Sequence, residues 1–207
     1  KKHFIELAMA VLMLVCFYIL SWEAAETAGR LIDVSGNIKA DQVILVDAGH
    51  GGVDSGMVGI GGLKEKGINL DIAMKLKTIL EKKGLAVVMT REEDKGLYEN
   101  GTKNMKAQDL QNRIEQIRKY EPVLSVSIHQ NSYHEESVSG GQVFYYRDSS
   151  KGKALAAILQ DRFDYVLGEQ NRRLPKANAN YYLLLHVKCP IVIVECGFLS
   201  NRREAAL

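Results

Sequence analysis

Four side chains of this 207-residue sequence could do chemistry together. His50 follows the apolar run of residues 43–46 and is set among Gly49, Gly51 and Gly52. His129 closes the stretch LSVSI, and Glu195 comes directly after IVIV. Glu65 opens the stretch that follows the glycine loop. Two imidazoles and two carboxylates make up a catalytic zinc site: three ligands, an open fourth position for water, and one free carboxylate as base. Taken singly, each has an ordinary explanation. A lone histidine is commonly a satisfied polar group, and Glu65 alone reads as a surface residue. Glu195 differs, because a carboxylate behind four β-branched residues is expected to be partly buried, and buried carboxylates are uncommon unless paired or bound.

The loop carrying His50, in VILVDAGHGGVDSG, could also cradle a phosphate. It lacks the G-K-[ST] ending of a P-loop and has no G-x-G-x-x-G before a helix. The cysteines make no case for a nucleophile: no basic residue adjoins Cys196, and His186 lies in a separate segment. In an extended segment, Cys189 and Cys196 stand about 20 Å apart, beyond disulfide reach, so both read as buried free thiols.

Strands and helices must bring the four residues together. The continuous apolar runs at 43–46 and 191–194 read as central strands covered on both faces, LSVSI at 124–128 as a third central strand, and 85–90 and 142–146 as further strands. Helical periodicity after the glycine loop places Ile72, Leu76, Ile79 and Leu80 on one face, with Gly84 as the stop. Residues 105–120 read as a helix with Leu110, Ile114 and Ile117 inward, ended before Pro122. Residues 153–167 read as another, burying Leu155, Leu159, Phe163 and Val166. A short strand is expected at 182–185, and a last helix from Asn201, capped by Ser200 and cut short by the end of the sequence. This alternation predicts an α/β fold with a mostly parallel sheet, which binds ligands beyond the carboxyl ends of its strands. If the strands before His50, His129 and Glu195 are parallel, all three residues share one sheet edge.

Hydrophobic residues make up 46% of the chain, enough for one core, and the net charge of +2 gives no reason to expect nucleic acid as a partner. Residues 1–22 differ from the rest: Lys1 and Lys2 precede an apolar run from Phe4 to Leu20, and Glu23 and Glu26 follow it. This reads as a membrane anchor or export signal with the domain outside the cell. Residues 23–40 then read as a linker and 41–207 as the catalytic domain.

ILVDAGHGGVDSG, LKEKGINL, VVMTRE, LSVSIHQNS and VIVECGFLSN occur in this order along the chain. On these stretches, residues 43–207 resemble the zinc-dependent N-acetylmuramoyl-L-alanine amidases of the amidase-3 family. The resemblance implies a three-layer fold with a central, mostly parallel six-stranded sheet and helices on both faces. It also implies His50, Glu65 and His129 as ligands of one Zn2+ and Glu195 as the catalytic carboxylate, the four residues that the strand ends had singled out. Asp47 is expected behind the metal as partner of a ligand histidine. Asn131 is expected to hold substrate, Asn201 to shape the final turn, and Gly51 and Gly52 to let glycan and peptide approach the metal. The compact length and apolar start resemble the CwlD-type subgroup, which acts on spore cortex peptidoglycan. That implies export, stem peptides as substrate, a coupled muramic acid deacetylase and a possible accessory secreted protein or lipoprotein. Residues 92–104 are too few for the blocking helix of some gram-negative relatives. The rival readings are a zinc-dependent deacetylase or carboxypeptidase acting on wall polymers, and a non-catalytic wall-binding protein.

Overall fold

A computed structural model of the chain describes residues 42–99, 101–168 and 171–207. The expected anchor or signal segment and its linker lie outside the described residues. In chain order the elements are β1 (Val43–Ala48), α1 (Glu65–Lys82), β2 (Ala86–Met89), α2 (Met105–Tyr120), β3 (Leu124–Asn131), β4 (Gln142–Tyr146), α3 (Ser150–Leu167), β5 (Lys176–Asn178), α4 (Tyr182–His186) and β6 (Ile191–Phe198). The strands form one six-stranded sheet in the order β2-β1-β3-β6-β4-β5. β2, β1, β3 and β6 run parallel, while β4 pairs antiparallel with β6.

Strand order reverses at β1, whose neighbours are β2 on one side and β3 on the other. Such a switch point opens a crevice at the carboxyl ends of the strands, and His50 and His129 flank it. Side chains alternate between the two faces. Leu45, Phe144, Ile191 and Ile193 join Ile114 and Ile117 of α2 and Leu183 and Leu184 of α4 in one buried cluster. On the opposite face α1 packs on β1, β2 and β3, and α3 on β4 and β6. There Gln160 of α3 accepts from the Val143 amide and donates to the Gly141 carbonyl, each at 3.0 Å.

Several expectations are corrected. Residues 182–185 are helix rather than strand. Asn178 Oδ1 accepts from the amides of Asn180 and Tyr181, and this turn starts α4 so that Leu183 and Leu184 both point inward. The strand of that segment is β5, which has no apolar alternation to announce it. Ile79 and Val166 are exposed: α1 buries Glu65, Asn69 and Ala73 instead, and α3 buries Gly152, Ala156 and Gln160. Both helices lie so close to the sheet that small and polar residues form the contact. After β6 there is only a 3-10 turn, Glu204–Ala206. Asn201 Oδ1 caps it through the amides of Arg203 and Glu204, while Ser200 Oγ accepts from the Tyr133 amide instead. Cys189 and Cys196 are free thiols but half-buried rather than buried.

Candidate active site

β1 ends at Ala48, and the chain then turns sharply. His50 takes φ 61°, unusual for a non-glycine residue. Two buried arginines hold this turn. Arg91 donates to the carbonyls of Ala48, Gly49, Glu93 and Lys66. Arg113, on α2, donates to the carbonyls of Ala48 and His50, at 2.9 and 2.7 Å, and to Asp109 and Asp47. The backbone carbonyls that the turn leaves without ladder partners are thereby satisfied.

β3 and β6 pair in parallel with His129 opposite Glu195, and the register shifts just after this pair. The irregularity re-aims side chains at the sheet edge, a common position for bulges near sites. Glu65 is the first residue of α1 and is buried. Its Oε1 lies 3.2 Å from His50 Nε2 and 3.0 Å from His129 Nδ1, and the two rings are 5.0 Å apart at 77°. One donor atom from each of His50, Glu65 and His129 falls within 4.8 Å of the other two. Burial alone would raise the Glu65 pKa, but hydrogen bonds and charge from His129 and His50 hold it far below the ordinary carboxylate range.

Glu195 stands apart from this trio. It is buried, and its Oε2 has no hydrogen-bond partner among the described residues. Burial, and secondarily Glu65, push its pKa up against the pull of His129 and His50. An orphaned buried carboxylate oxygen beside two imidazoles and a second acid calls for a cation or a proton. The donor set suits a divalent ion held by His50 Nε2, Glu65 and His129 Nδ1 with a coordination position left open.

The remaining expected residues separate. Asp47 touches neither ligand histidine. It accepts from Arg113 at 2.5 Å, Ser127 Oγ at 2.5 Å and Thr90 Oγ1 at 2.7 Å, because its place in β1 points it at α2. The carboxylate that does orient one of these histidines is Asp54, whose Oδ2 lies 2.9 Å from His50 Nδ1. Gly51 and Gly52 do not face the His50–Glu65–His129 trio: a Cβ there would strike Lys95, Gly96 and Tyr98 of the loop after β2. Gly49 and Gly56 are the glycines against the ligands, facing the His129 ring and the Glu65 carboxylate. Asn131 lines the cleft beside the trio, its Oδ1 accepting from the Ser132 amide.

Sequence reasoning missed Asp54, Asn69, Arg91 and Arg113. Asn69 sits one helical turn after Glu65 and donates to its Oε1 and to the Gly49 carbonyl, both at 3.2 Å. The i,i+4 spacing of Glu65 to Asn69 was the available signal. The arginines carried none, since a charged residue in a strand end or an amphipathic helix reads as solvated.

The site opens to two sides. One cavity, of about 250 Å3, is walled by Leu110, Tyr181, Tyr182 and Ile193. A second cleft runs past Met57, Asn131 and Ser132. Both share His50, Asp54, Lys106, His129 and Glu195, so an extended substrate has room to cross these residues.

Residues 44–207 match the Amidase_3 family, described as N-acetylmuramoyl-L-alanine amidase. The chain belongs to this family. Among relatives of this amidase, the germination-specific N-acetylmuramoyl-L-alanine amidase of Bacillus subtilis is 39% identical over 169 residues, covering 80% of this chain and 70% of that protein. The amidase LytC of the same organism is 32% identical over 80% of this chain but only 31% of its own length. Among solved structures, the CwlD amidase of Clostridioides difficile in complex with the GerS lipoprotein superposes with a TM-score of 0.77 at 36% identity, covering 80% of this chain and 86% of that one. The catalytic domain of CwlV from Bacillus (Paenibacillus) polymyxa gives 0.67 at 32% identity, covering 80% and 85%. Membership makes this amidase a hydrolase of cell wall peptidoglycan.

Proposed function

We propose that the enzyme is zinc-dependent and cuts the amide between the lactyl group of N-acetylmuramic acid and L-alanine. We propose further that it does so in spore cortex peptidoglycan, ahead of muramic-δ-lactam formation. The observation that carries the reading is Glu195: a buried, partnerless carboxylate oxygen beside a His50–Glu65–His129 trio within coordinating distance.

His50, Glu65 and His129 hold the ion, with Asp54 fixing the His50 ring and Asn69 the Glu65 carboxylate. Bound zinc supplies Lewis acidity, polarising the amide carbonyl and bringing the pKa of a water down toward neutrality. Glu195 accepts the proton of the attacking water and delivers it to the departing L-alanine nitrogen, so that the amide N–C bond breaks to a carboxylate and a free amine. Burial suits Glu195 to this exchange, because it raises the pKa of the carboxyl and so makes it a stronger base toward the proton of the attacking water. The apolar wall of Leu110, Ile193 and the two tyrosines limits water at the reacting amide.

The spore assignment is supported by the likeness to the Bacillus subtilis germination-specific amidase and the Clostridioides difficile CwlD structure. The GerS complex of the latter supports an accessory lipoprotein as partner. A muramic acid deacetylase would act on the stripped sugar. Export follows from a cell wall substrate; among the described residues no helix is long and apolar enough to cross a membrane.

Purified peptidoglycan and an E195A variant test the reading. The wild-type protein is expected to release peptides with a free L-alanine amino terminus, and E195A to keep zinc by metal analysis while losing at least 1,000-fold in rate, roughly the sum of base and acid roles. Release of acetate or of terminal D-alanine instead would make the enzyme a deacetylase or carboxypeptidase, and peptide release by E195A at the wild-type rate would remove Glu195 from the chemistry.

A further inference from the structure

The cleft walls hold an excess of acid. Asp47, Asp54, Asp109 and Glu195 line the first cavity, with Glu65 beside them in the second. Two cations face this wall. Arg113 is buried and bonded to Asp47, Asp109 and two backbone carbonyls. Lys106 is the other. It is exposed, lines both cavities and makes no ion pair among the described residues. It acts on Asp54 through space, but the Asp54 oxygens are already engaged by the His50 ring and the Gly56 amide.

Helix stability does not account for Lys106. It is the second residue of α2, whose first turn contains no acid. A cation there opposes the helix dipole, whereas an anion is favoured. An incoming carboxylate would therefore meet the ammonium and the positive end of α2 together, within a cleft whose walls are otherwise rich in acid.

The substrate carries such a group. In a stem peptide, the residue after L-alanine bears either a free main-chain carboxylate or its amide. In an extended peptide it lies about 7 Å beyond the scissile bond, two residues at the extended rise. Resting on the amidase reading above, we propose that Lys106 receives this carboxylate and makes the enzyme prefer acidic over amidated stem peptides. Lys106 is thus a specificity-determining residue, and its effect falls mainly on KM.

The test uses the zinc-loaded protein and two muramoyl peptides that differ only in that carboxylate or carboxamide. The wild type is expected to favour the carboxylate by about tenfold in kcat/KM, a charge-assisted hydrogen bond in a partly open cleft. K106A should reduce the preference to below about twofold, K106E should reverse it, and K106R should restore it. A wild type without preference, or a K106E variant that keeps it, overturns the role of Lys106 and leaves the amidase reading standing. A wild type that releases peptide from neither substrate overturns both.

Discussion

The ligand trio needs its supporting hydrogen bonds as much as its own atoms. His50 is anchored at both ring nitrogens, by Asp54 at Nδ1 and by Glu65 at Nε2. Removing the outer partner of a metal-bound histidine commonly weakens metal affinity by about 10- to 100-fold. D54A should therefore bind zinc about 10- to 100-fold more weakly in a chelator competition, while its fold, read by circular dichroism, persists. Unchanged affinity would mean that Gly56 and the backbone alone position the ring. H50A and H129A should go further and lower bound zinc well below one equivalent by metal analysis. Full occupancy in both variants would remove the proposed ligand set.

The elements meet at β1, and its buried Asp47 joins them. Burial would raise the Asp47 pKa, but the Arg113 charge and the Ser127 and Thr90 hydroxyls bring it down to about 2 from 3.8. A depressed folded-state pKa gives stability that is fully present above pH 4 and lost as pH falls from about 4 to about 2. The amount is roughly 2 kcal/mol for a shift of this size. D47N should flatten the acid limb of a urea-unfolding series over this window. At neutral pH it should cost about 3 kcal/mol or more, since Arg113 loses a partner in the interior. An acid limb identical to that of the wild type would place the acid sensitivity elsewhere. The loop after β1 has its own constraint. Gly56 has φ 64°, and a Cβ there would meet the Glu65 carboxylate and the His50 ring. G56A should lose zinc binding through displaced ligands, in contrast to a substitution at exposed Gly61, where a Cβ meets nothing within 4 Å.

Viewed as one molecule, the amidase brings its proposed ligand set together only when folded, because the three residues come from the loop after β1, the start of α1 and the end of β3. Zinc binding should thus add directly to stability, by about 2.7 kcal/mol at a free concentration 100 times Kd. A thermal scan should show a rise in Tm on adding zinc for the wild type and for E195A, whose lost group is not a ligand, and little rise for H129A. An equal rise in all three would mean that the ion binds elsewhere.

The sequence by itself determined the layered α/β class, the helix at 105–120 and the strands that carry His129 and Glu195, although both strands run past these residues, to Asn131 and Phe198, because buried strands and a 3.6-residue period have few other solutions. It also singled out the four residues that meet at the site, since an acid or imidazole next to a buried apolar stretch or a glycine loop has few ordinary uses. Only the tertiary structure decided which groups stand behind them. Asp54 rather than Asp47 orients His50, since β1 alternation turns Asp47 toward Arg113. It also decided that Gly49 and Gly56, rather than Gly51 and Gly52, face the ligands, and that residues 182–186 are helical. These are matters of direction and of pairing between segments distant in the chain. Local composition and periodicity report how each segment buries itself, but not which partner it meets when the whole chain closes.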